Sequence, residues 1–592
     1  MLLSKPSRKV CPLVKILALI ASVLAANQSF AEADLILTNG RIITVGEDFL
    51  VAEAIAVKNG RILDVGSAAE IGRLRDERTR VVDLNGKAVM PGLIDSHTHP
   101  QEASVSELNH DIPDMTSIAD VLSYVRERAA VTPVGEWIWV RQVFASRLKE
   151  FRFPTRAELD KAAPNHPTGF ASFPESPVTA FNSIALEKMG VDEEFVPVDQ
   201  EDVERDPGSR TPSGIIKNSL RYVSNEEPEN ATSKREAGRK LVEMFSYYNA
   251  VGLTTIGDGN ATAYDIALYQ TLTKRDELSV RIAMSHKLAT GSDRSLDDIL
   301  ADIRQVAQHE LRNDNSSLKL IGVKTYVDGG ILTGSAYMNQ PWGEGGIHRI
   351  ADPLHRGKPF ISADKLEILV RETARLGLQF TAHAVGDGAV DAIVRVYQRV
   401  NRDTPLRQTR PSITHANFMS DWAIEQMAQI GIVANIQPPW LYLDGRFLEQ
   451  QFGYARLRYF QPLKTLLDKN VVVGGGSDHW YLLEPDGGNN PYDPFLGMWI
   501  AMTRTARFLE SPLYPEEALT REQAIRFYTQ NNASLLFLEN EVGTLEKGKL
   551  ADMIVLDTDP LLSSLKEFRA TQVLATYLGG RLVYSLPGSS GF

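Results

Sequence analysis

His97 and His99 stand one residue apart in Asp95-Ser96-His97-Thr98-His99, directly after the apolar run Ala88-Val89-Met90-Pro91-Gly92-Leu93-Ile94. Two imidazoles at that spacing, at the mouth of a buried strand, can converge on one metal if the strand end bends. Alone the pair is a weak signal, because His-x-His also occurs in ordinary surface loops. Three later residues strengthen it. His383 follows Leu378-Gln379-Phe380-Thr381-Ala382, His415 follows Pro411-Ser412-Ile413-Thr414, and Asp478 ends Val471-Val472-Val473-Gly474-Gly475-Gly476-Ser477. In isolation such a histidine is usually hydrogen-bonded or structural, and such an aspartate caps a loop. As a set they offer imidazole nitrogens and a carboxylate, which suit zinc and other borderline transition metals. A metal would also compensate a carboxylate emerging from so apolar a strand. Asp478 could then take the proton of a metal-activated water. The chemistry this predicts is metal-assisted hydrolysis.

Lys324 is a further candidate ligand, in Leu318-Lys319-Leu320-Ile321-Gly322-Val323-Lys324-Thr325-Tyr326-Val327-Asp328-Gly329-Gly330. A protonated lysine is a poor metal ligand. Carboxylated, it becomes an anionic oxygen ligand able to bridge two metals. The alternative is an internal lysine paired with Asp328, and both states stay open at this level.

Eight candidate strands end near His97, Asp258, His286, Tyr326, His383, His415, Ala434 and Asp478. Helical periodicity separates several of them, over Ser233–Asn249, Asp297–Leu311, Ala363–Leu376, Ala389–Val400, Asp421–Gln429 and Pro462–Asp468. Buried strands alternating with helices predict an α/β fold, a closed (β/α)8 barrel. Residues of about 100–235 are too many for one βα connection and are expected to form an insertion after the first barrel strand. Short apolar runs divided by Asn-Gly turns in 34–90 predict paired strands. Similar runs recur in 541–592, so both termini are expected to build one small β-sandwich beside a barrel spanning 91–540. A detached C-terminal β module is the alternative.

Residues 1–31 read as a signal peptide. Lys5, Arg8, Lys9 and Lys15 precede the apolar run Ile16 to Ala26, which is short for a membrane span, and Ala31 and Ala33 offer cleavage points. An exported, periplasmic protein is expected, with an uncleaved anchor as the alternative. The single cysteine, Cys11, lies in this segment, so the mature chain has no thiol, disulfide or cysteine-ligated cluster. Acidic residues exceed Lys plus Arg by 12; residues 1–31 hold four basic and no acidic residues, so the excess becomes 16 without them. That balance, with no long basic block, argues against a nucleic-acid partner. No Gly-x-Ser-x-Gly elbow accompanies the histidines, which argues against a serine hydrolase. Trp440, Trp480, Tyr481 and Arg141, on expected loops and in the insertion, are candidates to contact a small, partly aromatic organic substrate.

From Asp34 to Tyr584 the chain resembles the amidohydrolase superfamily, in the metal-dependent branch that includes N-substituted formamide deformylases. The matching landmarks are Pro91–His99, Val323–Gly329, His383–Asp387, Thr414–Ala416, Gly476–Asp478 and the return Gly543–Asp552. The resemblance implies two divalent metals, zinc by default. His97 and His99 would hold one with Asp478 beside it, His383 and His415 the other, and carboxylated Lys324 would bridge them. It also implies cleavage of an amide-like C–N bond, with lactone or carbamate hydrolysis and a non-catalytic binding or regulatory role as alternatives, and it carries an expectation of a homodimer. Two features depart from the pattern. Relatives often have Glu where Thr414 stands, and His479-Trp480-Tyr481 follow the aspartate. Both are expected to retune the pocket without changing the metal reaction.

Overall fold

The computed structural model describes residues 32–141, 143–171, 178–223, 234–313, 316–589 and 591–592. The expected signal peptide, residues 1–31, lies outside them.

Eight parallel strands follow one another in spatial order: β1 Leu93–Thr98, β2 Leu253–Ala261, β3 Arg281–Lys287, β4 Leu318–Tyr326, β5 Gln379–Ala384, β6 Ser412–His415, β7 Val433–Ile436 and β8 Val473–Gly475. β1, β2, β6, β7 and β8 are buried along their whole length, as parallel strands covered by helices must be. The covering helices carry the matching period. Asp387–Asn401 buries Val390, Ile393, Val394, Tyr397 and Val400, one face of a 3.6-residue repeat. Ser295, Ser362 and Ser420 cap three of these helices by accepting from the N–H groups of Asp298, Lys365 and Ala423.

The strand ladder ends at Gly475, and the chain just beyond it closes the barrel. Asp478 N–H donates to the His97 carbonyl (2.8 Å), and His99 N–H donates to the His479 carbonyl (2.7 Å). The two segments with the predicted chemistry at opposite ends of the barrel sequence are therefore hydrogen-bonded neighbours.

The termini form two packed sheets. One contains Arg61–Gly66, Ala54–Lys58, Leu35–Thr38 and Arg80–Asp83. The other runs Arg581–Ser585, Val573–Leu578, Met553–Leu556, Ala88–Pro91, Arg41–Ile43 and Val51–Ala52. Leu35, Leu37, Ile55 and Val57 of the first pack with Ile42, Val89, Met553, Val555 and Tyr577 of the second. The C-terminal strands are thus integral to the sandwich and not a detached module. The insertion after β1 holds a parallel pair, Ile138–Val140 with Thr168–Phe170. It also holds an antiparallel three-stranded sheet of Val178–Ala180, Pro212–Lys217 and Val203–Arg205. Its core, including Val121, Val125, Leu159 and Phe170, takes in Tyr481 and Leu482 from just past Asp478. No helix among the described residues is long and apolar enough to cross a membrane.

Candidate metal centre

Among the described residues, one donor atom each from His97, His415 and Asp478 lies within 4.8 Å of the others. His97 is on β1, His415 ends β6, and Asp478 follows β8 by three residues, all at the C-terminal end of the barrel where such folds place their chemistry. His415 (φ +77°) and Asp478 (φ +59°) both adopt left-handed backbone. This conformation is costly for a non-glycine residue and has to be held by its surroundings.

His97 Nε2 and His99 Nε2 each lie 3.1 Å from the same oxygen, Asp478 Oδ1, and Lys324 Nζ lies 3.1 Å from His97 Nε2. Protons do not satisfy this arrangement. A neutral His97 Nε2 can accept from Lys324 or donate to Asp478, but not both. Burial lowers the His97 pKa to about 3, with the Lys324 charge adding to the effect, and takes His415 well below the usual imidazole range. Burial raises Asp478, but hydrogen bonds from His97 and His99 outweigh it and hold the carboxyl well below its ordinary value. The result is two neutral imidazoles and an ionised carboxylate converging on one point, a donor set that fits a divalent transition metal.

The surrounding groups orient these donors. His415 Nδ1–H donates to Gln437 Oε1 (2.7 Å), while Gln437 Nε2 donates to Asn435 Oδ1 (2.8 Å), fixing the imidazole with Nε2 as its lone-pair nitrogen. Asp95, buried, accepts from the N–H groups of His97 (2.9 Å) and Ser477 (3.1 Å) and so pins β1 to the chain carrying Asp478. Gly259 makes room for His97, since a Cβ there would lie 1.9 Å from His97 Cε1. Asn490 Nδ2 donates to the backbone carbonyls of Asp478 (2.7 Å) and Ser477 (3.2 Å).

The remaining candidates surround this cluster or lie further out. His383 packs its ring 4.4 Å from that of His415, with Nε2 at 3.4 Å from the Gly329 carbonyl, and burial lowers it to about 3. Lys324 is buried against His97 and burial brings its pKa down to about 8. It is not paired with Asp328, whose carboxylate instead accepts from the N–H groups of Tyr337, Val385 and Gly386. Trp440 lies near the centre but on a helix, Pro438–Phe452, and not on the loop expected; its ring stacks on His415 at 4.7 Å and 12°. Tyr481 and Trp480 pack edge to face at 5.5 Å against the core of the insertion, and Arg141 follows the insertion strand Ile138–Val140. The sequence reading missed Gln437, Asn435, Gly259 and Asn490. Of these only Gln437 carried a signal, as a polar residue between the apolar β7 run and Pro438-Pro439.

A family model, described as the amidohydrolase family, matches residues 80–584. The chain belongs to the amidohydrolase family. It is 29% identical over 573 residues to the N-substituted formamide deformylase of Arthrobacter pascens, covering 94% of this chain and 99% of that one. It is 26% identical over 569 residues to the Arabidopsis thaliana protein LONG AFTER FAR-RED 3, covering 93% and 92%. Among solved structures, a metal-dependent hydrolase from Pyrococcus horikoshii superposes with a TM-score of 0.63 at 21% identity, over 90% of this chain and 99% of that one, which supports the fold. Membership of the amidohydrolase family and the His97–His415–Asp478 cluster together identify a metal-dependent hydrolase.

Proposed function

We propose that this amidohydrolase cleaves the C–N bond of a small N-substituted amide, with N-substituted formamides as the substrate class. The convergence of two neutral imidazoles and one carboxylate at the barrel mouth carries the hydrolytic reading. The near full-length likeness to a formamide deformylase supports the substrate class. His97, His415 and Asp478 would hold a divalent metal, zinc by the chemistry of the donors. Such an ion, when bound, lowers the pKa of water and polarises a carbonyl oxygen. Asp478 accepts the proton of the attacking water and returns it to the leaving nitrogen as the C–N bond breaks, so that water and the formamide become formate and an amine. Trp440, stacked on His415, is placed to keep bulk water off that side of the centre.

The same reading extends to finer points. His99 and His383 would complete a two-metal centre. Lys324, drawn toward its neutral amine by burial, is suited to carboxylation and to bridging the two ions. The pattern of residues 1–31 supports a periplasmic location and the acidic balance supports the absence of a nucleic-acid partner, and a homodimer is proposed beside them. Trp480, Tyr481 and Arg141 would shape the substrate side of the insertion.

Metal analysis of purified protein and formate release from N-alkylformamides, run beside lactones and carbamates, test the assignment. Formamide turnover that requires about one or two equivalents of metal, and that Asp478→Ala abolishes while the protein stays folded, is the expected result. Turnover confined to lactones or carbamates would move the substrate class, and full activity in metal-free protein would remove the metal-assisted mechanism.

A further inference from the structure

Among the links between the insertion and the chain around the metal centre is a buried guanidinium. Arg147, in the short turn Ala145–Arg147, is 4% exposed. Its Nε and Nη2 meet the two oxygens of Asp444 at 2.6 and 2.8 Å, and its Nη1 donates to the Asn489 carbonyl at 2.7 Å. The planar fork of arginine fits a carboxylate in this bidentate way, and a lysine ammonium cannot reproduce it.

Both partners lie next to groups that hold the candidate ligands. Asp444 is on Pro438–Phe452 four residues after Trp440, so the two share a helix face. Trp440 stacks on His415, and Gln437, the residue before that helix, accepts from His415 Nδ1. Asn489 precedes Asn490, whose amide grips the Asp478 and Ser477 carbonyls. His415 and Asp478 are also the two cluster residues in left-handed backbone. Arg507 and Arg446 reinforce the junction by donating to the backbone carbonyls of Arg147 and Leu148, at 3.1 and 2.5 Å.

A buried ion pair adds little net stability over an apolar pair of the same shape, so stability alone is a poor reason for it. We propose that Arg147 is a positioning residue for the metal centre. By joining the helix behind His415 to the loop behind Asp478, it fixes the distance between these two donors. The insertion would then set metal affinity. This inference rests on the reading of His97, His415 and Asp478 as metal ligands.

Zinc affinity of the full-length protein, stripped of metal and titrated against a chromophoric chelator, tests it, with melting followed by circular dichroism. Wild-type protein that binds no zinc would refute the ligand reading itself. Given wild-type binding, Arg147→Lys is expected to weaken zinc binding by about tenfold, the lower end of what losing a group bonded directly to a ligand costs, because Arg147 acts one step further out. The double variant R147M/D444L removes both charges together, so it should melt near the wild-type temperature yet show the same loss of affinity, with kcat falling more than KM rises. A double variant that folds with wild-type zinc affinity would overturn the inference. So would one that cannot fold, because Arg147 would then serve the fold and not the centre.

Discussion

At the scale of single residues, the site depends on where side chains are missing as much as on where they are present. Gly259 precedes Asn260 near the end of β2, and its absent Cβ leaves the space occupied by the His97 ring. The Nε2 of this imidazole faces both Asp478 Oδ1 and Lys324 Nζ, each at 3.1 Å, only while the ring fills that space. Gly259→Ala is therefore expected to expel His97 from the cluster, weakening zinc binding at least tenfold, as a chelator titration would measure. Unchanged affinity would mean that His97 is not a ligand in the loaded protein. This site was largely legible in the sequence, because metal ligands are chemically distinctive residues at the ends of apolar runs. His97, His415 and Asp478 could be named for that reason. Gly259 could not, since a glycine needed for a neighbour 162 positions away in sequence looks like any turn glycine.

At the scale of elements, the helices with clean periodicity were readable to within a few residues, as in Ala363–Arg375 and Asp421–Ile430. Pro438–Phe452 was not, because Pro438-Pro439 reads as a break although proline is well suited to the first turn of a helix. That helix matters to the centre. Gln437 just before it holds His415 in one tautomer, so Gln437→Ala should cost about 10–100-fold in zinc affinity with little change in melting temperature. Equal affinities would assign Gln437 to packing alone. The far end of the helix contributes a pH response. His348 is buried with its ring edge-on to Phe447 at 5.1 Å and to Trp342 at 5.8 Å, and burial lowers its pKa to about 4. The folded state holds it neutral while the unfolded chain takes up a proton near pH 6.5. Its contribution is therefore complete above pH 6.5 and is lost as pH falls toward 4. Between pH 7 and 5 this loss is about 2 kcal/mol. Urea midpoints at the two pH values should fall further for wild type than for His348→Leu, and parallel shifts would exclude the residue as a source of acid sensitivity.

At the scale of the whole molecule, the barrel divides its labour between its two ends, and a second buried ion pair marks the end opposite the metal centre. Arg281 opens β3, and its Nε and Nη2 meet Asp552 at 2.6 and 2.9 Å, just before the sandwich strand Met553–Leu556. Asp552 also accepts from Gly579 N–H at 2.7 Å, and its backbone carbonyl accepts from Gly92 N–H at 2.9 Å, next to the start of β1. This one residue joins the C-terminal strands to the beginning of the barrel, beside the antiparallel pairing of Met553–Leu556 with Ala88–Pro91 that makes the two termini a single sandwich. The distance of 271 residues between the partners hid the pair from sequence reading, although each end of the sandwich could be recognised locally. Removing one partner of such a pair leaves the other buried and uncompensated, at about 3–5 kcal/mol. Asp552→Ala should therefore lower the urea midpoint strongly, and R281M/D552L should recover most of the loss. Because the strand N-termini lie away from the ligands, both variants should keep wild-type zinc affinity wherever they remain folded. A fall in affinity that tracks the loss of stability would show that sandwich and metal centre are coupled through the strands, and that the separation of roles between the two ends of the barrel does not hold for this chain.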